Sequence, residues 1–207
     1  MSDAADAVSS LLPIVQAGHP ALRQIAAGLN DKQLRDPSLG SLLTAMRETM
    51  YAAPGVGLAA PQVGISMRLA VIEDREAYLA HVPEEKLADL ERRTVPFTVL
   101  VNPVVERVDD ETVLAFEGCL SVDGFRALVP RHRRIRLRWT NLDGSSADEL
   151  WTGWAARIAQ HECDHLDGMI YIDRMLPRSF MTHAEWYHRW QDLAVEEVCA
   201  ALDIPSR

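Results

Sequence analysis

The chain is poor in the features that would commit it to most functional classes. Its three cysteines, widely spaced among 207 residues, make no disulfide framework and fit a reducing compartment. Lysine and arginine number 21 against 30 acidic residues, and the net charge of −9 argues against stable nucleic-acid binding, which needs a basic excess to meet phosphate. No apolar run approaches the roughly 20 residues that cross a bilayer. Residues 1–10 carry no basic side chain, which excludes a secretory signal and does not resemble an arginine-rich transit peptide. A soluble, cytoplasmic protein is expected. With 48% hydrophobic content it can bury one good core, and a single domain is expected over residues 1–207.

The order of elements reads as α+β, with mainly antiparallel small sheets around a central metal-binding helix and a C-terminal helix. Ser38 is the expected cap of a helix with the apolar stripe Leu42, Leu43, Met46 and Met50. Residues 68–73, 98–101 and 112–117 read as short strands, the second ended by Asn102-Pro103. Between the first two, residues 74–96 are charged and helical in composition, a solvated excursion. Residues 134–139 alternate arginine with Ile135, Leu137 and Trp139, a strand with one wet face. That face, joined by Arg131 and Arg133, reads as solvated, with contact to ribosomal RNA as the rival reading. The last helix is expected over residues 181–202.

The chemistry sits in His161-Glu162-Cys163-Asp164-His165. Two histidines four apart on a helix point the same way and can share one divalent metal, while Glu162 is placed to handle the proton of an attacking water. The apolar or ligand positions Trp154, Ile158, His161 and His165 recur at steps of four, three and four, one inward stripe over residues 154–167. Gly168 can end that helix in a left-handed conformation. A catalytic ion needs a third protein ligand and an open position. Cys119, at the end of a strand and beside Gly118, is the best candidate; Cys163 points to nearly the opposite helix face and, like Cys199, reads as a small apolar residue. Two rivals stand beside this. An H-E-x-x-H peptidase would draw its third ligand downstream, where His183 and Glu185 are available, and a structural metal site would have four protein ligands.

Three blocks, Gly55-Val56-Gly57-Leu58-Ala59-Ala60-Pro61-Gln62, Glu117-Gly118-Cys119-Leu120-Ser121, and the stretch 160–168 around the histidines, resemble in order and wording the signature blocks of peptide deformylases. The resemblance covers roughly residues 13–176. It implies a hydrolase that removes the N-formyl group from the initiator methionine of nascent polypeptides. It implies one divalent ion per chain, ferrous iron in the cell, with Zn2+, Ni2+ or Co2+ also suited to thiolate and imidazole. It implies a formylmethionyl peptide as substrate, transient ribosome association, and the Gln62 amide with the Leu120 N–H as oxyanion donors.

Other roles follow by argument. Glu117 is expected to hold the Gln62 amide, or to be a surface carboxylate at a strand end. Gly55 and Gly57 are expected to let an extended peptide run beside the backbone. Val56, Leu58, Trp154 and Ile158 are candidate pocket walls, equally well explained as core. Arg126 matches a position where the family often carries arginine near the bound peptide. Asp123 and Arg157 depart from the usual wording, where proline and an apolar residue are common, and this bears on the pocket rim. The 74–96 excursion and the wording Gly153-Trp154-Ala155-Ala156-Arg157 are similar to the organelle-type branch of the family, while the lack of a transit peptide favours a bacterial cytoplasmic enzyme.

Overall fold

A computed structural model describes residues 11–205, so the expectation drawn from residues 1–10 lies outside the described part. Among the described residues, eight strands form two antiparallel sheets. The first runs in the order β1 (Gly57–Ala59), β2 (Leu69–Asp74), β3 (Val95–Arg107), β6 (Arg134–Thr140) and β7 (Ser146–Thr152); the second joins β4 (Thr112–Cys119), β5 (Val122–His132) and β8 (Met181–Thr182). Three longer helices pack on them: α1 (Pro37–Ala52), α2 (Gly153–Leu166) and α3 (Val195–Ala201).

The unbroken apolar run Leu69-Ala70-Val71-Ile72 explains why the first sheet is covered on both sides. A strand alternates its faces, so such a run is stable only where both are buried. Leu69 and Val71 pack with Leu39, Leu43, Met46 and Met50 of α1, while Ala70 and Ile72 pack with Ala156, Ile158, Ala159 and Leu166 of α2. Each fully buried Leu, Ile or Met contributes on the order of 1.5–3 kcal/mol. α2 is thereby wedged between the sheets, with its histidine-bearing face toward the β4–β5 hairpin.

Several boundaries differ from expectation, each for a local reason. Helix α1 is capped by the Asp36 carboxylate, which accepts the Ser38 N–H at 2.9 Å with Pro37 at the first helical position; Ser38 is inside the helix. Strand β3 does not stop at Asn102-Pro103. Asn102 takes a φ of 50° and the pairing with β6 shifts register there, while its side-chain amide bonds both backbone groups of Leu29 at 2.9 and 2.8 Å. The C-terminal helix exists but is shorter than residues 181–202. Met181 and Thr182 pair with Arg126 and Phe125 as β8, and Thr182 Oγ1 accepts the Glu185 N–H, starting a separate helical segment that ends near Trp190 before α3 begins.

The arginine face of β6 is balanced by acids. Arg134 pairs with Asp109, Arg136 with Asp148 and Arg138 with Glu106, while Ile135, Leu137 and Trp139 are buried. The 74–96 excursion holds two short helices, Glu76–Leu79 and Glu84–Asp89, and then sends Arg92 inward onto the fully buried Asp74. Gly168, with a φ of 74°, ends α2 as expected and also makes room: a Cβ there would lie 2.9 Å from the Arg23 backbone. Cys163 and Cys199 are both buried, Cys199 in an apolar cluster with Leu128, Val198 and Ile204.

Candidate metal centre and its pocket

Cys119 is the last residue of β4, and α2 brings His161 and His165 against it. The three potential ligand atoms all lie within 4.8 Å of one another, with Cys119 Sγ 3.2 Å from His165 Nε2. A thiolate and two imidazoles are a donor set suited to a borderline divalent ion, and convergence from a strand end and a helix is what a three-ligand site requires. Among the described residues no fourth His, Cys, Asp or Glu joins this group. His183 instead accepts a hydrogen bond from Arg126 Nε at 2.7 Å, and Glu185 pairs with Arg189 on its own helical segment.

His161 is oriented from behind. Its Nδ1 lies 2.9 Å from Glu117 Oε2, which leaves Nε2 facing Cys119 and His165. Glu117 is therefore not the holder of the Gln62 amide, and it is no surface carboxylate, being only 5% exposed. Both of its oxygens are taken by Arg131, Arg157 and His161, while the Gln62 amide reaches Cys119 instead. Arg131 donates Nε and Nη2 to its two oxygens, each at 2.9 Å, and Arg157 Nη1 donates to Oε1 at 2.7 Å. Burial would raise the Glu117 pKa, but the Arg131 charge and the hydrogen bonds from His161 and Arg131 override it and hold the carboxyl well below the usual range. Arg131 also grips Asp164, which Arg174 holds from the other side at 2.7 and 2.8 Å.

The Gln62 amide is fixed locally. Its Oε1 accepts the Ala59 N–H at 2.8 Å, closing the turn after β1, and its Nε2 points at Cys119 Sγ, 3.6 Å away. Glu162 lies under β1 and is 4% exposed; a Cβ on Gly57 would sit inside its carboxylate. Burial pushes the Glu162 pKa up to about 7, opposed by the charges of His161 and Arg131. Gly57 therefore serves the carboxylate first, while it pairs with Ile72 on one side only, β1 being the edge strand of its sheet. Gly55 likewise gives room to the Leu120 side chain.

These groups line a cavity of about 490 Å³. Gly55, Val56, Gly57, Trp154, Ile158, Leu120 and Arg126 all border it, and so does Asp123. Leu58 does not: alternation in β1 turns it to the other face, where it is fully buried against α1. Of the arginines at its border, Arg92 was not anticipated, while Arg157 was expected to bear on the rim. Arg92 reaches in from the excursion, its guanidinium 5.1 Å from the Trp154 ring, and Arg157 occupies the pocket floor as a buried cation. Arg131 was assigned to the solvated strand face, but it is 4% exposed. The signal for its burial was strand parity, since it shares the inward face of β5 with Ala127 and Val129, both fully buried.

Comparison with known proteins agrees with this geometry. A family model described as polypeptide deformylase matches residues 11–180. Peptide deformylase 3 of Streptomyces avermitilis is 50% identical over 191 residues, covering 92% of this chain and 83% of that protein. Peptide deformylase 1A, chloroplastic/mitochondrial, of Arabidopsis thaliana is 42% identical over 169 residues, 82% of this chain and 63% of that one. Among solved structures, the Met-Ala-Ser bound class I type b peptide deformylase from Acinetobacter baumannii superposes with a TM-score of 0.71 at 35% identity, covering 81% of this chain and 99% of that one.

Proposed function

This chain belongs to the polypeptide deformylase family, and from that premise we propose how its residues divide the work: Cys119, His161 and His165 hold the metal, and Glu162 moves the protons. The reaction is metal-dependent removal of the N-formyl group from the initiator methionine of nascent polypeptides. When bound, the ion supplies Lewis acidity, which for zinc lowers the pKa of water from about 15.7 to roughly 7.

The buried carboxylate of Glu162 accepts a proton from the attacking water and returns it to the leaving amine as the tetrahedral species collapses. Burial raises its pKa, which favours return of the proton once it has been accepted. The Gln62 Nε2 amide and the Leu120 N–H donate to the oxyanion; the Gln62 amide is held for this by the Ala59 N–H, so no reorganisation is needed at the moment of reaction. The substrate peptide adds to the free edge of β1, with the methionine side chain among Val56, Trp154 and Ile158. Arg126, at the cavity border, faces the following residues of the peptide.

Ferrous iron is the proposed ion in the cell, with Zn2+, Ni2+ and Co2+ able to occupy the same donors. The working site is proposed to be the cytoplasm, with transient approach to the ribosome, and no helix of the described residues is long and apolar enough to cross a membrane. The observation that carries the reading is the convergence of one sulfur and two ring nitrogens within 4.8 Å beside the buried Glu162. The test is to offer one formyl-Met peptide and to follow formate release and internal cleavage together. Formate alone is expected; cleavage of the internal bond would favour a peptidase.

A further inference from the structure

We propose that Arg157 is a positioning residue for the metal group: it ties α2 to the β4–β5 hairpin through Glu117, and so sets how His161 meets Cys119. This inference rests on the reading that Cys119, His161 and His165 share a divalent ion. Arg157 lies one helical turn before His161 and is 5% exposed. Its Nη1 donates to Glu117 Oε1 at 2.7 Å and to the Val129 carbonyl at 2.9 Å, and its Nη2 donates to the Val113 carbonyl at 2.5 Å. All three acceptors are on the hairpin that presents Cys119, whereas Arg157 shares its helix with both histidines.

The carboxylate of Glu117 is thereby fixed at both oxygens. Arg131 and Arg157 share Oε1, while Arg131 and His161 share Oε2. With Arg131 alone, the carboxylate could pivot about that bidentate contact; the second guanidinium removes the pivot and with it the swing of the imidazole. Burying a cation here costs desolvation, which the Glu117 carboxylate and the two hairpin carbonyls offset. Arg157 also borders the cavity and lies 6.0 Å from the Trp154 ring, so the substrate-facing floor and the metal ligand are joined through one side chain.

The test uses metal-free full-length protein and Zn2+ alone, with affinity read by competition against a chromophoric chelator at a temperature where circular dichroism shows every variant folded. Arg157→Met is expected to weaken zinc binding by about 10-fold or more, and Arg157→Lys to recover part of the loss. In a Glu117→Gln background the further loss from Arg157→Met should largely vanish, because both act through the same imidazole. Unchanged affinity in Arg157→Met, or an equal loss with and without Glu117, overturns the inference. Should Arg157→Met fail to fold, Arg157→Lys loaded with Co2+ takes its place: an altered visible absorption supports the inference, and affinity and absorption identical to wild type overturn it. Wild type whose zinc binding survives Cys119→Ala would overturn the metal reading and this inference with it, whereas zinc bound through Cys119 and indifferent to Arg157 overturns this inference alone.

Discussion

Glu117 and His161 stand 44 positions apart in the chain and meet at 2.9 Å, Oε2 to Nδ1, across the gap between a strand and a helix. That contact fixes which ring nitrogen faces Cys119. Glu117→Gln keeps the shape and loses the charge, so it should lower divalent-metal affinity about 10- to 100-fold while the protein stays folded. Chelator competition measures it. Glu117→Ala is predicted to be worse for the fold than for the chemistry, because it strips Arg131 and Arg157 of their common partner. Losing one member of a buried ion pair costs about 3–5 kcal/mol, readable as a lower denaturation midpoint.

Glu162 carries the proton traffic in this account. Glu162→Gln should reduce kcat about 10²- to 10⁴-fold in a formate-release assay while metal content stays that of wild type. Loss of metal together with activity would reassign Glu162 to the ligand set.

Gly57 is predicted to tolerate no side chain. Its missing Cβ is the space that the Glu162 carboxylate occupies, so Gly57→Ala must displace either the carboxylate or β1. Overpacking of this kind costs about 1–3 kcal/mol. The variant should lose activity far out of proportion to its loss of stability, and wild-type turnover in Gly57→Ala would show that the carboxylate works from elsewhere.

Gln62 is offered as an oxyanion donor. Gln62→Leu should lower kcat about 10²- to 10³-fold and leave KM for a formyl-Met peptide little changed. A rise in KM with kcat intact would mean that the amide binds the ground state only.

Much of this was legible in the sequence because its signals are short-range. The helix period placed Trp154, Ile158, His161 and His165 on one stripe, and the apolar run after Arg68 marked a strand, whose burial on both faces the structure added. The metal group itself needed one long-range step, from α2 back to Cys119, and the donor chemistry supplied it. What the sequence hid was charge burial. Arg131 looks like a surface arginine until Glu117 and Asp164 are brought to it by tertiary packing, the partner of Arg157 is equally long-range, and the Glu117 role was misread for the same reason. Leu58, a candidate pocket wall equally well explained as core, is core, because a single step of strand alternation decides between the two. Arg92 lay in a segment whose composition reads as solvated, and its partner Asp74 closes the preceding strand.

Cys119 is the one ligand that the strand contributes, and the metal centre stands or falls with it. Elemental analysis of anaerobically purified wild type and Cys119→Ala, paired with formate release from a formyl-Met peptide, tests it directly. About one equivalent of divalent metal per chain with turnover in wild type, and neither in Cys119→Ala at unchanged fold, is the predicted result. Metal content and turnover that persist without the thiol would contradict it.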